Sequence, residues 1–98
     1  MASSKEYLEY VLEQLRGAEG LRYRPMMGEY LIYCRGKLVG GVYDDRLLVK
    51  PTKSALSLLP DAPREEPYPG GKPMLLVTEM ENKDLLQKLL EAVANEVK

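Results

Sequence analysis

Residues 24–50 read RPMMGEYLIYCRGKLVGGVYDDRLLVK, and two short polar breaks divide their apolar residues into three runs. The breaks are Arg35-Gly36 and Asp44-Asp45. Glycine and aspartate tolerate the positive φ angles that two-residue hairpin turns require. The stretch therefore predicts an antiparallel β-meander, with strands at residues 29–34, 37–43 and 46–50.

If both turns contain two residues, the register of the meander follows from them. The predicted cross-strand pairs are Tyr33–Leu38, Leu31–Gly40, Val42–Leu47 and Gly40–Val49. One face then forms the core and consists of Leu31, Tyr33, Leu38, Val42, Leu47 and Val49. The other face mixes apolar and basic side chains, namely Tyr30, Ile32, Cys34, Val39, Tyr43, Leu48, Lys37, Arg46 and Lys50. Such a mixture is typical of an interface or a groove.

Glycine inside a strand, as at Gly40-Gly41, often marks the close approach of another group. One explanation is an aromatic ring, such as that of Tyr30, lying over Gly41. The other explanation is a bound partner or ligand. Under both interpretations, the middle of this strand has no room for a larger side chain.

The segments beside the meander predict a helix and two more strands. Ser3-Ser4-Lys5-Glu6 fits a capping box, with Ser3 as the N-cap of a first helix that Gly17 and Gly20 end. Residues 21–27 are expected to form an edge strand, because Pro25 cannot donate to a ladder. The apolar run at residues 74–79 is typical of a final strand.

Two more helices follow the meander. Thr52 is the expected N-cap of a short helix to Leu59, with Ala55, Leu56 and Leu59 facing inward. Asn82 is the expected cap of the last helix, whose apolar stripe consists of Leu85, Leu86, Leu89, Leu90, Val93 and Val97. Together these elements predict one α+β domain over residues 1–98. Its antiparallel sheet is packed by N- and C-terminal helices and a short middle helix.

Residues 60–73 form a proline-rich loop, and loops of this length in compact domains are often functional. Tyr68 lies between Pro67 and Pro69 and is therefore presented on a stiff backbone. The loop is expected either to act as a lid or contact site, or simply to wrap the surface.

Composition excludes several classes of protein. The formal net charge is −1, with 14 basic and 15 acidic residues, so the chain lacks the basic surface of a nucleic-acid-binding protein. No apolar run is long enough to span a membrane. The single cysteine, Cys34, cannot form an internal disulfide, which favours a cytoplasmic location.

The chain contains no histidine, so the commonest general base and metal ligand is missing. No catalytic residue, metal site or cofactor is predicted, and the protein is not expected to be an enzyme. Asp44-Asp45 offers too few oxygen ligands for a hard metal ion. Cys34, near Arg35 and Lys37, is either a redox-sensitive thiol with a lowered pKa or an ordinary strand cysteine.

The same stretch resembles the N-terminal domain of the TfoX/Sxy competence regulators. The resemblance lies in RPMMGEY at residues 24–30, Ile32-Tyr33, Gly36-Lys37, DDRLLVKP at residues 44–51 and PYPG at residues 67–70. Met27 stands where the family usually has phenylalanine, and Leu48 where tyrosine is common, so two rings are replaced by other apolar side chains. Full-length members carry a second, C-terminal domain, and the chain is expected to be a stand-alone N-terminal module.

The resemblance implies an α+β fold related to secretion-chaperone-like domains. It also implies a role in transcription regulation through protein contacts, without catalysis. The implied partner is a protein such as the transcription machinery. Independently of the resemblance, the second sheet face and the C-terminal turn of the last helix offer surfaces for a homodimer. No direct contact with nucleic acid or membrane is expected.

The alternative hypothesis is a small-ligand-binding domain, with a pocket between the sheet, the proline-rich loop and the last helix. The candidate interaction or ligand-binding residues are Arg24, Met26, Met27, Tyr30, Tyr43 and Tyr68. In the pocket, Arg24 would meet an anionic group. The structural alternatives are a surface ion pair with Glu29 for Arg24 and a position in the core for the two methionines.

Overall fold

The computed structural model describes residues 3–97 and contains six strands and three helices. The strands are β1 Arg22–Met26, β2 Glu29–Cys34, β3 Lys37–Val42, β4 Leu47–Val49, β5 Arg64–Glu65 and β6 Met74–Leu76. The helices are α1 Lys5–Gln14, α2 Lys53–Leu58 and α3 Lys83–Glu96. All strand pairs are antiparallel, in the order β1-β2-β3-β4-β6-β5. The predicted α+β class is confirmed, with β5 as a short strand that the sequence did not indicate.

Two-residue turns connect β1, β2, β3 and β4 in succession. Both residues of each turn have positive φ: 52° and 86° at Met27-Gly28, 55° and 76° at Arg35-Gly36, and 52° and 55° at Asp44-Asp45. This is the geometry of a type I′ turn, whose twist matches that of the strands it joins. The two predicted turns of the meander are confirmed, and the edge strand β1 is joined through a third.

A β-bulge on β3 changes the predicted register. Tyr33 pairs with Leu38 but Ile32 pairs with Gly40, so Val39 is an extra residue on β3. The confirmed pairs are Tyr33–Leu38, Val42–Leu47 and Gly40–Val49. The predicted pair Leu31–Gly40 is wrong, because Leu31 pairs with Gly41. A shift of one residue reverses the face to which every side chain of β2 points.

The bulge therefore reassigns part of each sheet face. Three residues predicted on the second face are buried in the core instead, namely Ile32, Cys34 and Val39. Three residues predicted in the core are only half-buried on the opposite face, namely Leu31, Tyr33 and Leu38. The remaining core residues, which lie beyond the bulge, are confirmed: Val42, Leu47 and Val49.

The helices pack on the face that carries Ile32 and Val49. The largest fully buried side chains of this core include Leu8, Leu15, Ile32, Leu47, Leu75, Leu86, Leu89 and Leu90. Full burial of one such side chain contributes about 1.5–3 kcal/mol, so this cluster dominates the stability of the domain. The predicted stripe on α3 and the caps Thr52 and Asn82 are confirmed, but Leu56 is 39% exposed.

The start of α1 differs from the predicted capping box. Ser4 is the N-cap, and its hydroxyl accepts a hydrogen bond from the Tyr7 N–H at 3.1 Å. The hydroxyl of Ser3 instead donates to the Glu29 carboxylate at 2.6 Å and accepts from the Asp45 N–H at 3.0 Å. The segment before α1 is thereby attached to the turn between β3 and β4.

Gly40 lies where two strands approach closely. A Cβ atom at this position would overlap the Leu48 carbonyl oxygen and lie 2.9 Å from the Val49 Cα. Both atoms belong to the backbone of β4, which cannot retreat without lengthening the hydrogen bonds between β3 and β4. Strand packing alone thus requires glycine at this position.

We expect Gly40→Ala to lower the free energy of unfolding by about 3 kcal/mol, because overpacking against a backbone has no low-cost relief. Gly36→Ala is the matched control, since a Cβ there would meet no atom within 4 Å. Its left-handed φ costs only about 1 kcal/mol. Urea denaturation of both variants measures the difference, and equal losses would contradict the close approach at Gly40.

Candidate functional site

The sheet face that points away from the helices, which we call the outer face, carries no part of the main core. From the register, its residues include Arg22, Arg24, Met26, Leu31, Tyr33, Leu38, Gly41, Tyr43, Leu48, Glu65, Met74 and Leu76. Leu48 is fully buried and Tyr43 is 6% exposed, yet neither belongs to the core cluster beneath the helices. Another element therefore covers this end of the outer face.

That element is the proline-rich loop. Inside the loop, β5 pairs with β6, which holds the chain at the edge of the sheet. The loop then turns back: Pro67 and Gly71 are buried, and the Gly71 N–H donates to the Tyr68 carbonyl at 2.9 Å. The turn places the Tyr68 ring against that of Tyr43, with centroids 6.4 Å apart and planes at 61°. Edge-on pairs of this kind are a favoured arrangement of aromatic rings.

Arg46 fastens the loop to the meander. Its guanidinium donates to the Glu65 carboxylate at 2.5 Å and to the Glu66 carbonyl at 3.3 Å. Its Nε also donates to the Tyr43 carbonyl at 3.1 Å. A single half-buried side chain thus joins the loop to the turn that carries Tyr43, through charge-assisted bonds that are stronger than neutral ones.

The ring of Tyr43 lies over Gly41. A Cβ on Gly41 would come 2.6 Å from the ring carbon Cε2 of Tyr43 and 2.7 Å from the Tyr30 carbonyl oxygen. The expected aromatic cover is found, but the ring is that of Tyr43 and not of Tyr30. Burial raises the pKa of Tyr43, and the neighbouring Tyr68, Glu29 and Tyr33 add to the rise. The phenol is therefore neutral at physiological pH.

A groove of about 570 Å³ lies between the outer face and the loop. Its walls are mostly apolar and consist of Leu38, Gly40, Tyr43, Pro51, Pro67, Tyr68, Gly70, Gly71, Pro73 and Met74. Lys50 and Lys72 complete the lining. Within residues 3–97, no acidic side chain lines this groove.

Two of the six candidate site residues, Tyr43 and Tyr68, meet in this groove. Tyr30 is half-buried against the core and contacts the ring of Tyr23, with centroids 6.0 Å apart. Met26 and Met27 lie on the β1–β2 hairpin and are 39% and 97% exposed, so the expected position in the core is wrong for both.

Arg24 lies with Arg22 and Tyr33 beside a separate, shallower depression on the outer face. Within the described part of the chain it forms no ion pair, whereas the Glu29 carboxylate bonds to Ser3 and to the Asp44 N–H. The predicted Arg24–Glu29 pair is therefore not formed. The last helix does not border the groove either, because α3 packs on the opposite face.

Ten of the twelve lining residues are not among the six candidates, and they include Leu38, Lys50, Lys72 and Met74. The predicted register puts Lys50 on this face without a role in binding, and it puts Leu38 in the core. For Lys72, the sequence signal is its position. It is a cation between Gly71 and Pro73, at the point where the loop rejoins the sheet.

Cys34 is buried, and its Sγ donates a hydrogen bond to the Glu19 carbonyl at 3.2 Å. Burial raises the pKa of this thiol, and the Glu91 carboxylate raises it further, while Arg35 opposes them. The expectation of a lowered thiol pKa is therefore wrong, and the alternative of an ordinary strand cysteine fits. In the described ranges, no cluster of three or more metal-ligating side chains occurs.

We expect the Cys34 thiol of the folded protein to react with Ellman's reagent at least about 100-fold more slowly at pH 8 than in urea, because the thiolate is the nucleophile. The raised pKa also means that the thiol's contribution to stability is present below the unfolded pKa of about 8.5 and declines as pH rises through the folded value. The variant Cys34→Ala tests whether the thiol causes this decline in stability, since the decline above pH 8.5 should be absent from the variant. A fast native reaction would contradict burial of the thiol.

The molecule is thus an α+β domain with helices on one sheet face and a loop-covered groove on the other. It is similar to a protein of Spirochaeta aurantia described as an uncharacterized 12.7 kDa protein in the trpE 5′ region, with 35% identity over 72 residues. The similarity covers 74% of this chain and 63% of that protein, so the chain spans less than two thirds of its relative's length. No protein-family model matches the chain. Among the described residues, no helix is long and apolar enough to cross a membrane.

Proposed function

We propose that this chain is a non-catalytic binding domain that holds a small ligand in the groove between the outer face and the proline-rich loop. The observation that supports the proposal is the groove itself. Its volume of about 570 Å³ falls within the range of roughly 300–1,000 Å³ that is typical of small-molecule sites. Apolar walls with a few polar groups are the composition that such sites share. A cytoplasmic setting belongs to the proposal, since the single cysteine is unpaired.

The walls of the groove are held in place by contacts within the protein. Arg46 fixes the loop through Glu65 and Glu66, and Gly41 provides the space in which the Tyr43 ring lies. Pro67 and Pro69 restrict the backbone on both sides of Tyr68. A site that is already organised loses less conformational entropy when a ligand binds, which supports recognition by this surface.

The polar groups of the groove are suited to binding and poorly suited to catalysis. They are the ammonium groups of Lys50 and Lys72 and the hydroxyls of Tyr43 and Tyr68. Because burial raises the pKa of Tyr43, the phenolate that could act as a general base is scarce at neutral pH. The groove therefore offers hydrogen bonds and positive charge to a ligand, without a partner that would activate a nucleophile.

The experiment is a titration of the full chain with naphthylacetamide, a neutral ring compound, followed by backbone amide chemical shifts. We expect shifts at Gly40, Gly70 and Gly71, with a dissociation constant in the range of about 0.1–1 mM that is typical of a small apolar probe. Leu38→Trp should reduce these shifts, because the larger ring occupies part of the groove.

Tyr10→Trp is the matched control, since it introduces the same ring at a position of α1 that is 41% exposed and distant from the groove lining. This variant should bind like the wild type. Equal losses in both variants, or shifts spread evenly over the surface of the wild-type protein, would contradict a ligand site in the groove.

A second candidate function is a protein-interaction module that uses the β1–β2 hairpin. The observation that favours it is the exposure of Tyr23 (45%) and Met26 (39%) on the edge strand β1, and of Met27 (97%) in the turn that follows. Exposed methionine and tyrosine are frequent at protein interfaces. The resemblance to TfoX/Sxy regulators supports this candidate and a role in transcription regulation, with a protein as the partner.

A photoreactive side chain placed at Met27, in cells of the source organism, tests this second candidate. We expect a discrete cross-linked product at Met27, because a specific partner brings one surface repeatedly to the hairpin tip. The control position is Leu56, which is 39% exposed on α2. The same products from both positions, or none from Met27, would contradict an interface at the hairpin.

A further inference from the structure

We propose that the ligand of the groove is a small organic anion, with an apolar ring-bearing body and a carboxylate or phosphate group. The body would lie along Tyr43 and Tyr68, and the anionic group would meet Lys50 and Lys72. This inference rests on the proposed binding function and adds the charge and shape of the ligand to it. The occupant is a free small molecule, because the loop and the sheet limit the space to about 570 Å³.

The charge of the lining gives the first argument. Lys50 and Lys72 both line the groove, and within residues 3–97 neither forms an ion pair. Arg46, at the base of the same loop, is by contrast paired with Glu65. The chain as a whole has a net charge of −1. A general excess of basic residues therefore does not explain why, within residues 3–97, two lysines and no acidic side chain line this groove. Their field favours an anion, and apolar walls strengthen the attraction by lowering the local dielectric constant.

The distribution of acidic groups gives the second argument. A smaller depression of about 360 Å³ lies on the other side of Tyr68, and its lining includes Glu29, Asp44 and Glu66. Pro67 and Tyr68 line both depressions and form the wall between them. The two lysines therefore lie on one side of an aromatic wall, and three carboxylates lie on the other side with Arg46, whose charge is paired with Glu65. An anion would be attracted to the lysine side and repelled from the carboxylate side.

The walls determine the body of the ligand. Leu38, Met74 and the prolines at 51 and 73 supply apolar surface, and the two tyrosines supply ring edges and faces. Gly70 presents backbone beside open space, because a Cβ there would meet no atom within 4 Å, whereas the Tyr68 ring itself lies against Gly71. A planar ring fits such a space better than a branched aliphatic body, because aromatic pairs gain energy beyond that of the buried area.

The test compares naphthylacetate with its uncharged analogue naphthylacetamide, by titration of the full chain at low salt. We expect the carboxylate to bind about tenfold more tightly, which is the order of magnitude that a charge-assisted hydrogen bond provides. The advantage should shrink as salt is added, because the lysines are near solvent. Equal affinities would overturn the inference while leaving the binding function intact, and no binding of either probe would overturn both.

Lys50→Gln and Lys72→Gln should each lower the affinity for naphthylacetate about three- to tenfold and leave that for naphthylacetamide unchanged. Lys88→Gln is the matched control, since this exposed lysine lies on α3 and outside the groove lining. A uniform loss in all three variants would assign the effect to net charge and overturn the site. A peptide with a free C-terminal tyrosine that bound more tightly than naphthylacetate would overturn the small-molecule occupant in favour of a protein C-terminus.

Discussion

The extra residue that Val39 inserts into β3 is the constraint on which the two sides of this molecule depend. It lies between the Tyr33–Leu38 and Ile32–Gly40 pairs, and it sets which side chains of β2 face the helices. With the bulge, Ile32 and Cys34 enter the core, and Tyr33 and Leu38 remain on the outer face. Without the bulge, Ile32 and Cys34 would lie on the outer face, and Tyr33 and Leu38 would lie beneath the helices. Bulges commonly redirect side chains in this way next to functional sites.

The groove follows from two further local restrictions. Gly40 allows β4 to approach β3 closely, and Gly41 leaves the space that the Tyr43 ring occupies. The ring then supports Tyr68, and Arg46 holds the loop that carries it. Each contact involves only one or two residues, yet together they convert a flat sheet face into a concave surface. The same residues leave Lys50 and Lys72 on the lining.

Much of the fold could be predicted, because the signals were local. The I′ turns, the caps at Thr52 and Asn82 and the stripe on α3 depend on a few neighbouring residues each. The bulge could not be predicted from the sequence pattern. Apolar residues occupy both even and odd positions within residues 38–42, so no break in an alternating pattern marks the extra residue. Of the groove, Tyr43 and Tyr68 were recognised from their residue types and neighbours. Leu38 and Met74 were not, because their role depends on the register and on the path of a loop without periodicity.

The bonds of Ser3 have a consequence for how the domain assembles. Its hydroxyl bridges Glu29 and Asp45, and the Ser4 N–H donates to the Asp45 carboxylate at 2.8 Å. Along the chain, Asp45 lies 42 positions from Ser3 and 41 positions from Ser4. The helix α1 carries its own cap and apolar stripe, but its N-terminal attachment exists only after two hairpins have closed. The attachment of this ten-residue helix is thus coupled to long-range β pairing, although the helix itself is encoded locally.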